Sequence, residues 1–214
     1  HMIFSCYIWN IDIILDLCCQ LKQVMPDTKL LLAGPEVSYN STEIMEQYTF
    51  IDGIIRGEGE AALIPLLKHL QSKTPAASVP SFTYRIGQHI AETEQASPIS
   101  LSQLPFPYPD LEKEKGRILY FECSRGCPFQ CGYCLSSIEK GVRFMPLEQV
   151  YQCLDLFLSK DVPQVKFVDR TFNCNKAYAF SIWNYLKEHD NGITNFHFEI
   201  AGELLDQETI SFLS

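Results

Sequence analysis

Four of the nine cysteines in this 214-residue chain lie within twelve residues, at positions 123, 127, 131 and 134. From Cys127 onward the spacing is Cys-x3-Cys-x2-Cys, and Tyr133 directly precedes the last cysteine. Gly126, Pro128 and Gly132 interrupt regular secondary structure, so the segment is predicted to be a loop. Such a loop can arrange several thiolates around one metal centre.

Two metal centres are compatible with this spacing. Three thiolates can bind three irons of a [4Fe-4S] cluster and leave the fourth iron open, whereas a fourth cysteine would close the cluster. The role of Cys123 therefore separates a catalyst from an iron-sulfur electron-transfer or sensing module. A zinc-stabilised interaction domain is a further alternative, but zinc sites often use two separated Cys-x2-Cys pairs. The single compact group favours iron and sulfur.

Composition limits the class of protein. The chain is 46% hydrophobic and 20% charged, which predicts a globular protein with one large or two small domains. A formal charge of −9 makes nucleic acid an unlikely partner. No apolar run approaches the roughly 20 residues that span a bilayer, and no signal peptide is recognisable. We expect a cytoplasmic protein with no membrane partner.

The first third of the chain alternates apolar strand-like runs with amphipathic helices, a pattern typical of a parallel, doubly wound α/β sheet. We predict a Rossmann-like domain over residues 3–72 whose amino-terminal part is missing. The segments Gly34-Pro35-Glu36-Val37-Ser38 and Gly57-Glu58-Gly59-Glu60 follow successive strands. They are therefore expected at the carboxyl edge of the sheet, where such folds bind ligands.

Residues 73–116 are predicted to be a linker that contains a small hairpin and a proline-rich segment, with prolines at 98, 105, 107 and 109. The strand–helix alternation resumes over residues 117–214, with strands predicted near residues 117–122, 164–168 and 196–200. Three βα units make about half of a six- to eight-unit barrel, so this second domain is expected to be truncated. The chain is thus expected to be an internal fragment of a longer protein.

The stretch from Tyr120 to Cys134 resembles the cluster loop of radical S-adenosylmethionine (SAM) enzymes. Its Cys-x3-Cys-x-aromatic-Cys pattern is matched by Cys127, Cys131, Tyr133 and Cys134, and it follows the first predicted barrel strand. The resemblance implies a [4Fe-4S] cluster held by these three cysteines. Cys123 stands where relatives commonly have threonine, which implies a residue that is not a ligand.

This resemblance also implies SAM as a cofactor. The open iron of such enzymes chelates the amino and carboxylate groups of SAM, and one electron then releases methionine and a 5′-deoxyadenosyl radical. A flavodoxin or ferredoxin is the expected reductant, and the substrate is a small molecule or peptide that the sequence does not identify. By position on the first three barrel strands, the candidates for contact with SAM are Tyr133, Asp169, Arg170 and Glu199, with Asn173 in the same segment as Asp169.

The order of domains resembles radical SAM proteins that carry a cobalamin-binding domain before the barrel. This resemblance implies a cobalamin site formed by Gly34, Pro35, Glu36, Gly57, Glu58 and Gly59. The Asp-x-His-x-x-Gly ligand motif of the wider cobalamin-binding superfamily is absent from the sequence. If cobalamin is bound, methyl transfer to a poorly activated carbon or phosphorus is the expected reaction, although relatives also perform other radical modifications.

The remaining cysteines and acids have simpler interpretations. Cys18 and Cys19 lie on an apolar helix, where buried packing is the usual role of a free cysteine. Glu58 and Glu60 are also suited to the first turn of the following helix, whose dipole favours acids there. Asp169 and Glu199 are equally suited to capping the helices that follow their strands.

Overall fold

The computed structural model describes residues 1–138 and 141–214, and these form two compact units, His1–Ile99 and Ser100–Ser214. The first unit is a five-stranded sheet in the order β1-β2-β3-β4-β5. Its elements are β1 (Met2–Ser5), α1 (Ile11–Val24), β2 (Leu30–Ala33), α2 (Ser41–Gln47), β3 (Gly53–Ile55), α3 (Glu60–Leu70), β4 (Phe82–Ile86) and β5 (His89–Glu92).

The first three strands are parallel, with Phe4 opposite Leu32 and Leu32 opposite Ile54. Strand β2 is a continuous apolar run because both faces of the sheet are covered, as is usual for parallel sheets. One face packs on a core around Leu32 and Met45, and the other packs on a core around Leu31 and Leu66. The predicted α/β class and parallel sheet are confirmed.

The predicted hairpin is not part of a separate linker. Strand β4 pairs antiparallel with β3, and Ile55 lies opposite Phe82, so the hairpin extends the first sheet. Phe82 is 2% exposed and stacks on Tyr84, and this apolar face explains why the hairpin joins the sheet. Since β4 runs against β3, the turn at Gln88 lies at the amino edge of the parallel strands.

The second unit contains a parallel sheet in the order β10-β9-β6 and a separate antiparallel pair, β7 and β8. The parallel strands are consecutive neighbours, as expected for the beginning of a βα barrel. The elements are β6 (Ile118–Phe121), β7 (Ser124–Cys127), β8 (Gly141–Phe144), α4 (Leu147–Ser159), β9 (Gln164–Phe167), α5 (Lys176–Glu188), β10 (Asn195–His197) and α6 (Gln207–Leu213).

The proline-rich segment predicted to belong to the linker packs on the second unit. Leu101 is 1% exposed, and the rings of Phe106 and Tyr108 contact Phe157 on α4. The Tyr108 hydroxyl donates to the Tyr120 carbonyl over 2.8 Å and accepts from the Tyr120 N–H over 2.6 Å. The prolines prevent regular structure, but the apolar side chains between them still bury surface.

None of the helices in the described ranges combines the length and the apolar content that crossing a membrane requires.

We expect Phe157→Ala to lower the free energy of unfolding by about 3–5 kcal/mol, because it removes a fully buried ring from the centre of the aromatic core. Leu156→Ala is the matched control, since the neighbouring side chain is 43% exposed and should cost about 0.5 kcal/mol or less. Urea unfolding followed by tryptophan fluorescence measures both. Equal losses would contradict this placement of the core.

Candidate functional site

The antiparallel pairing of β7 with β8 brings the two ends of the cysteine loop together. Cys127 at the end of β7 lies opposite Gly141 at the start of β8, so the loop with Cys131 and Cys134 projects between these strands. Gly126 was predicted to interrupt regular structure but lies within β7. It has a φ of +106°, and a Cβ atom there would collide with the Gly141 carbonyl oxygen, so only glycine permits this close pairing.

The three loop cysteines are more accessible than the buried Cys6, Cys18, Cys123 and Cys153. Cys131 is exposed, and Cys127 and Cys134 are half-buried. Hydrogen bonds from the backbone and side chain of Ser136 lower the pKa of Cys134, and the nearby charge of Arg170 lowers it further. A thiolate is the form that binds metals, so these surroundings suit ligation.

Cys123 has the opposite surroundings. Its side chain is fully buried, and burial beside the Asp169 carboxylate raises its pKa well above the ordinary value for cysteine. Its thiol lies 3.2 Å from Oδ1 of Asp169. Burial likewise raises the pKa of Cys6 and Cys18 to about 11 and raises that of Cys153. Cys123 thus belongs with the buried packing cysteines.

Asp169 connects the ends of two neighbouring barrel strands. It follows β9 and is 1% exposed, and its Oδ1 accepts a hydrogen bond of 2.5 Å from the Ser124 hydroxyl at the start of β7. Its Oδ2 lies 3.4 Å from the Cys123 N–H. Its oxygens thus accept hydrogen bonds from Cys123 and Ser124, and contact of Asp169 with SAM stays a prediction. Asp169 therefore positions the first residues of the cysteine loop.

A second set of bonds joins the ends of β9 and β10. The Phe172 N–H donates to the Glu199 carbonyl over 2.9 Å. The Asn173 side chain donates to the Ala201 carbonyl and accepts from the Ala201 N–H, both over 2.9 Å. The carboxyl ends of all three parallel strands are thus linked in sequence. The Glu199 side chain is exposed at this edge.

The remaining predicted residues of this unit are placed as follows. Arg170 is exposed and close enough to Cys134 to affect its pKa. The Tyr133 side chain is 94% exposed. Within the described ranges, no three His, Cys, Asp or Glu side chains are grouped in metal-binding geometry, so the cysteine loop would have to close around a cluster.

In the first unit, Ser38 links the two predicted cobalamin loops. Its hydroxyl donates to the Gly34 carbonyl over 2.8 Å and accepts from the Gly57 N–H over 2.9 Å. Gly34 has a φ of +103°, and a Cβ atom there would lie 2.6 Å from the Cys6 carbonyl oxygen. The loop at Gly34 therefore lies directly against the end of β1. Pro35 and Glu36 begin the 3-10 turn that follows, Pro35–Val37.

The loop after β3 ends at Gly59, which directly precedes α3, and Glu58 beside it is half-buried. A Cβ atom on Gly59 would meet nothing within 4 Å, so this glycine borders open space. Arg56, in the same loop, pairs with Glu92 at the end of β5 over 3.2 Å. Glu92 also accepts a hydrogen bond from the Thr42 hydroxyl, and this bond is the largest cause of the lowered pKa of Glu92. The carboxyl edge of this sheet is thus ordered by polar contacts around an open glycine loop.

Sequence reasoning missed the roles of Ser38, Ser124 and Thr171. Thr171 is buried, and its hydroxyl lies 3.5 Å from the Cys127 sulfur. The spacing of Asp169 and Thr171 was an available signal, because alternate residues of extended chain face the same side. Ser38 gave no comparable signal, since a hydroxyl in a glycine-proline turn is common.

Comparison with known proteins gives matches to both units. Residues 2–67 match the family model of the B12 binding domain. An uncharacterised methyltransferase of Pyrococcus horikoshii is 28% identical over 78% of this chain and 39% of its own length. The cobalamin-dependent radical SAM methyltransferase TokK of Streptomyces tokunonensis is 26% identical over 78% of this chain and 27% of its own length. The chain thus spans well under half the length of these curated relatives.

Solved structures share the fold. The cobalamin-dependent radical SAM enzyme OxsB, with aqua-cobalamin and SAM bound, superposes with a TM-score of 0.75 at 18% identity, over 99% of this chain and 32% of its own. The radical SAM methyltransferase TsrM of Kitasatospora setae, with cobalamin and a [4Fe-4S] cluster bound, gives 0.68 at 16% identity, over 93% and 42%. The resemblance inferred from the cysteine loop and the domain order is confirmed.

Asp169→Asn tests the buried carboxyl. Burial raises the pKa of Asp169 against the opposing effect of its hydrogen bonds from Ser124 and Cys123. The native state therefore binds this proton more tightly than the unfolded chain, so the carboxyl favours folding below its unfolded pKa of about 3.9, and this contribution is lost as pH rises through the raised native pKa.

We compare the free energy of unfolding of the native protein with that of Asp169→Asn. The native value minus the variant value should fall as pH rises from about 4 to 7. Urea unfolding at several pH values measures the difference. Glu203→Gln, at an exposed position of the same unit, is the control for general effects of losing one charge. A difference that rises with pH would contradict the raised pKa.

Proposed function

We propose, from the resemblance of this chain to cobalamin-dependent radical SAM enzymes, that it forms the cobalamin-binding unit and the first part of the catalytic barrel of such an enzyme. The observation that carries the proposal is the contrast among the four clustered cysteines. Three lie on an accessible loop after the first barrel strand, whereas Cys123 is buried, protonated and bonded to Asp169. This contrast supports a site with three protein ligands and an open iron.

Cys127, Cys131 and Cys134 would hold the [4Fe-4S] cluster. When bound, the cluster supplies the electron for reductive cleavage of SAM to methionine and a 5′-deoxyadenosyl radical. The chain's own contribution is to fix the loop, through the β7–β8 pairing and the Asp169 contacts to Cys123 and Ser124. Arg170 supplies positive charge beside Cys134, which favours its thiolate.

The exposed groups at the carboxyl edge of the second unit, Tyr133, Arg170 and Glu199, remain the proposed SAM contacts. Asp169 stays a proposed contact with SAM, and its bonds to Cys123 and Ser124 hold the start of the cysteine loop. The proposed reductant is a flavodoxin or ferredoxin, and the proposed substrate is a small molecule or peptide that accepts a methyl group or undergoes another radical modification. Methyl transfer is favoured because the relatives from Pyrococcus horikoshii and Streptomyces tokunonensis are named methyltransferases.

In the first unit, the proposed cobalamin site is the edge formed by Gly34, Pro35, Glu36, Gly57, Glu58 and Gly59. Two features support it: residues 2–67 match the B12 binding domain, and Ser38 joins the two glycine loops into one surface. Gly34 and Gly57, both at positive φ, let the backbone turn closely there. Cobalamin, when bound, supplies a methyl carrier.

Replacement of single cysteines tests the cluster. After anaerobic reconstitution with iron and sulfide, we expect Cys123→Ala to keep the cluster absorption and its change on adding SAM, because this thiol is turned into the core. Cys131→Ala should lose most bound iron, because it removes a ligand from an exposed position without disturbing packing. Iron and sulfide analysis, visible spectra and 5′-deoxyadenosine formation under a strong reductant provide the measurements.

Loss of the cluster in Cys123→Ala with unchanged circular dichroism would instead favour the four-cysteine electron-transfer module. Zinc in anaerobically purified native protein, with no capacity to bind iron, would favour the zinc-stabilised domain. A native protein that holds the cluster yet releases no 5′-deoxyadenosine would remove the enzymatic proposal.

Gly59→Leu tests the cobalamin edge. The space around Gly59 is open, so we expect the variant to fold normally but to bind hydroxocobalamin at least about tenfold more weakly, since a side chain would project where the ligand approaches. Gln88→Leu adds the same side chain at the opposite edge of the sheet and should bind like the native protein. Equilibrium binding followed by the cobalamin absorption spectrum measures both. Equal affinity in the two variants would exclude this loop from the site.

A further inference from the structure

The Thr171 hydroxyl lies beside a proposed cluster ligand. Its Oγ1 is 3.5 Å from Sγ of Cys127, and the residue is 6% exposed. We propose that Thr171 is a positioning residue that donates a hydrogen bond to the Cys127 thiolate and thereby raises the reduction potential of the cluster. This inference rests on the proposed function, because it requires a cluster on Cys127.

The direction of the hydrogen bond follows from the chemistry of the ligand. In the free thiol form, either Thr171 or Cys127 can donate. Once Cys127 binds iron its sulfur has no proton, so the contact persists only with the threonine hydroxyl as donor. A buried hydroxyl needs a partner, and this sulfur provides one.

The backbone holds Thr171 in this position from three sides. Asp169, two residues earlier, is bonded to Cys123 and Ser124. The Thr171 carbonyl accepts from the Cys174 N–H over 3.1 Å, and the next residue, Phe172, donates to the Glu199 carbonyl. The hydroxyl is therefore fixed by contacts that do not themselves involve the cluster.

Reduction adds negative charge to the cluster and its sulfurs, so a hydrogen-bond donor to a ligand sulfur stabilises the reduced form more than the oxidised form. Loss of the donor should make the potential more negative. Thr171→Val removes the hydroxyl and keeps the shape of the side chain, whereas Thr171→Ser keeps the hydroxyl and removes the methyl group.

The experiment is a redox titration of the anaerobically reconstituted protein without SAM, monitored by the electron paramagnetic resonance of the reduced cluster. At the midpoint potential of the native protein, we expect the ratio of reduced to oxidised cluster to fall about threefold or more in Thr171→Val, a shift of about 30 mV at 59 mV per tenfold for one electron. Thr171→Ser should have the same midpoint potential as the native protein.

Thr171→Ala is measured in parallel, because it removes the same hydroxyl without adding bulk if valine prevents folding. Iron content should stay at the native level in every variant, since no ligand is removed. If Thr171→Val and Thr171→Ala both have the native midpoint potential, this inference is overturned and the proposed function is not. The same holds if these variants fold, as judged by circular dichroism, yet bind no iron. A native protein that assembles no [4Fe-4S] cluster would overturn the proposed function itself.

Discussion

The buried carboxyl of Asp169 is the constraint on which the second unit's functional edge depends. A carboxyl that is almost wholly removed from water is costly unless its oxygens are paired. The pairing groups are the Ser124 hydroxyl and the thiol and N–H of Cys123, all from the segment that follows the neighbouring strand. Satisfying this one group therefore fixes where the cysteine loop departs from the sheet and where the segment after β9 lies against it.

The same constraint explains how four neighbouring cysteines acquire two kinds of chemistry. Cys123 lies beside the carboxyl in the core, so its thiolate would be both desolvated and repelled, and it keeps its proton. Cys134 lies in the loop between β7 and β8, where Ser136 and Arg170 favour the thiolate. All four are cysteines of one short segment, whereas burial and neighbouring charge separate Cys123 from Cys134.

Much of the fold followed from local pattern. The helix predicted to follow Glu58 and Glu60 is α3, and the second unit's parallel strands overlap the ranges predicted for them, because burial selects apolar residues at regular spacing. The pattern failed where a segment's structure depends on distant partners. The Pro-rich residues after Ser100 pack on Phe157, and Gly126 belongs to a strand because its partner Gly141 approaches closely. The three cysteine ligands and the glycine loops could be proposed from the sequence, but burial of Asp169 could not.

Both units order their functional edges by the same physical means. Loops at the carboxyl ends of parallel strands leave the backbone ladder, so their relative positions must be set by other hydrogen bonds. In the first unit the Ser38 hydroxyl bridges Gly34 and Gly57, and in the second Asn173 bridges to both backbone groups of Ala201. Each is a short polar side chain with one or two rotatable bonds, so little conformational entropy is lost in fixing it. Such residues position a site without occupying the space that a cofactor requires.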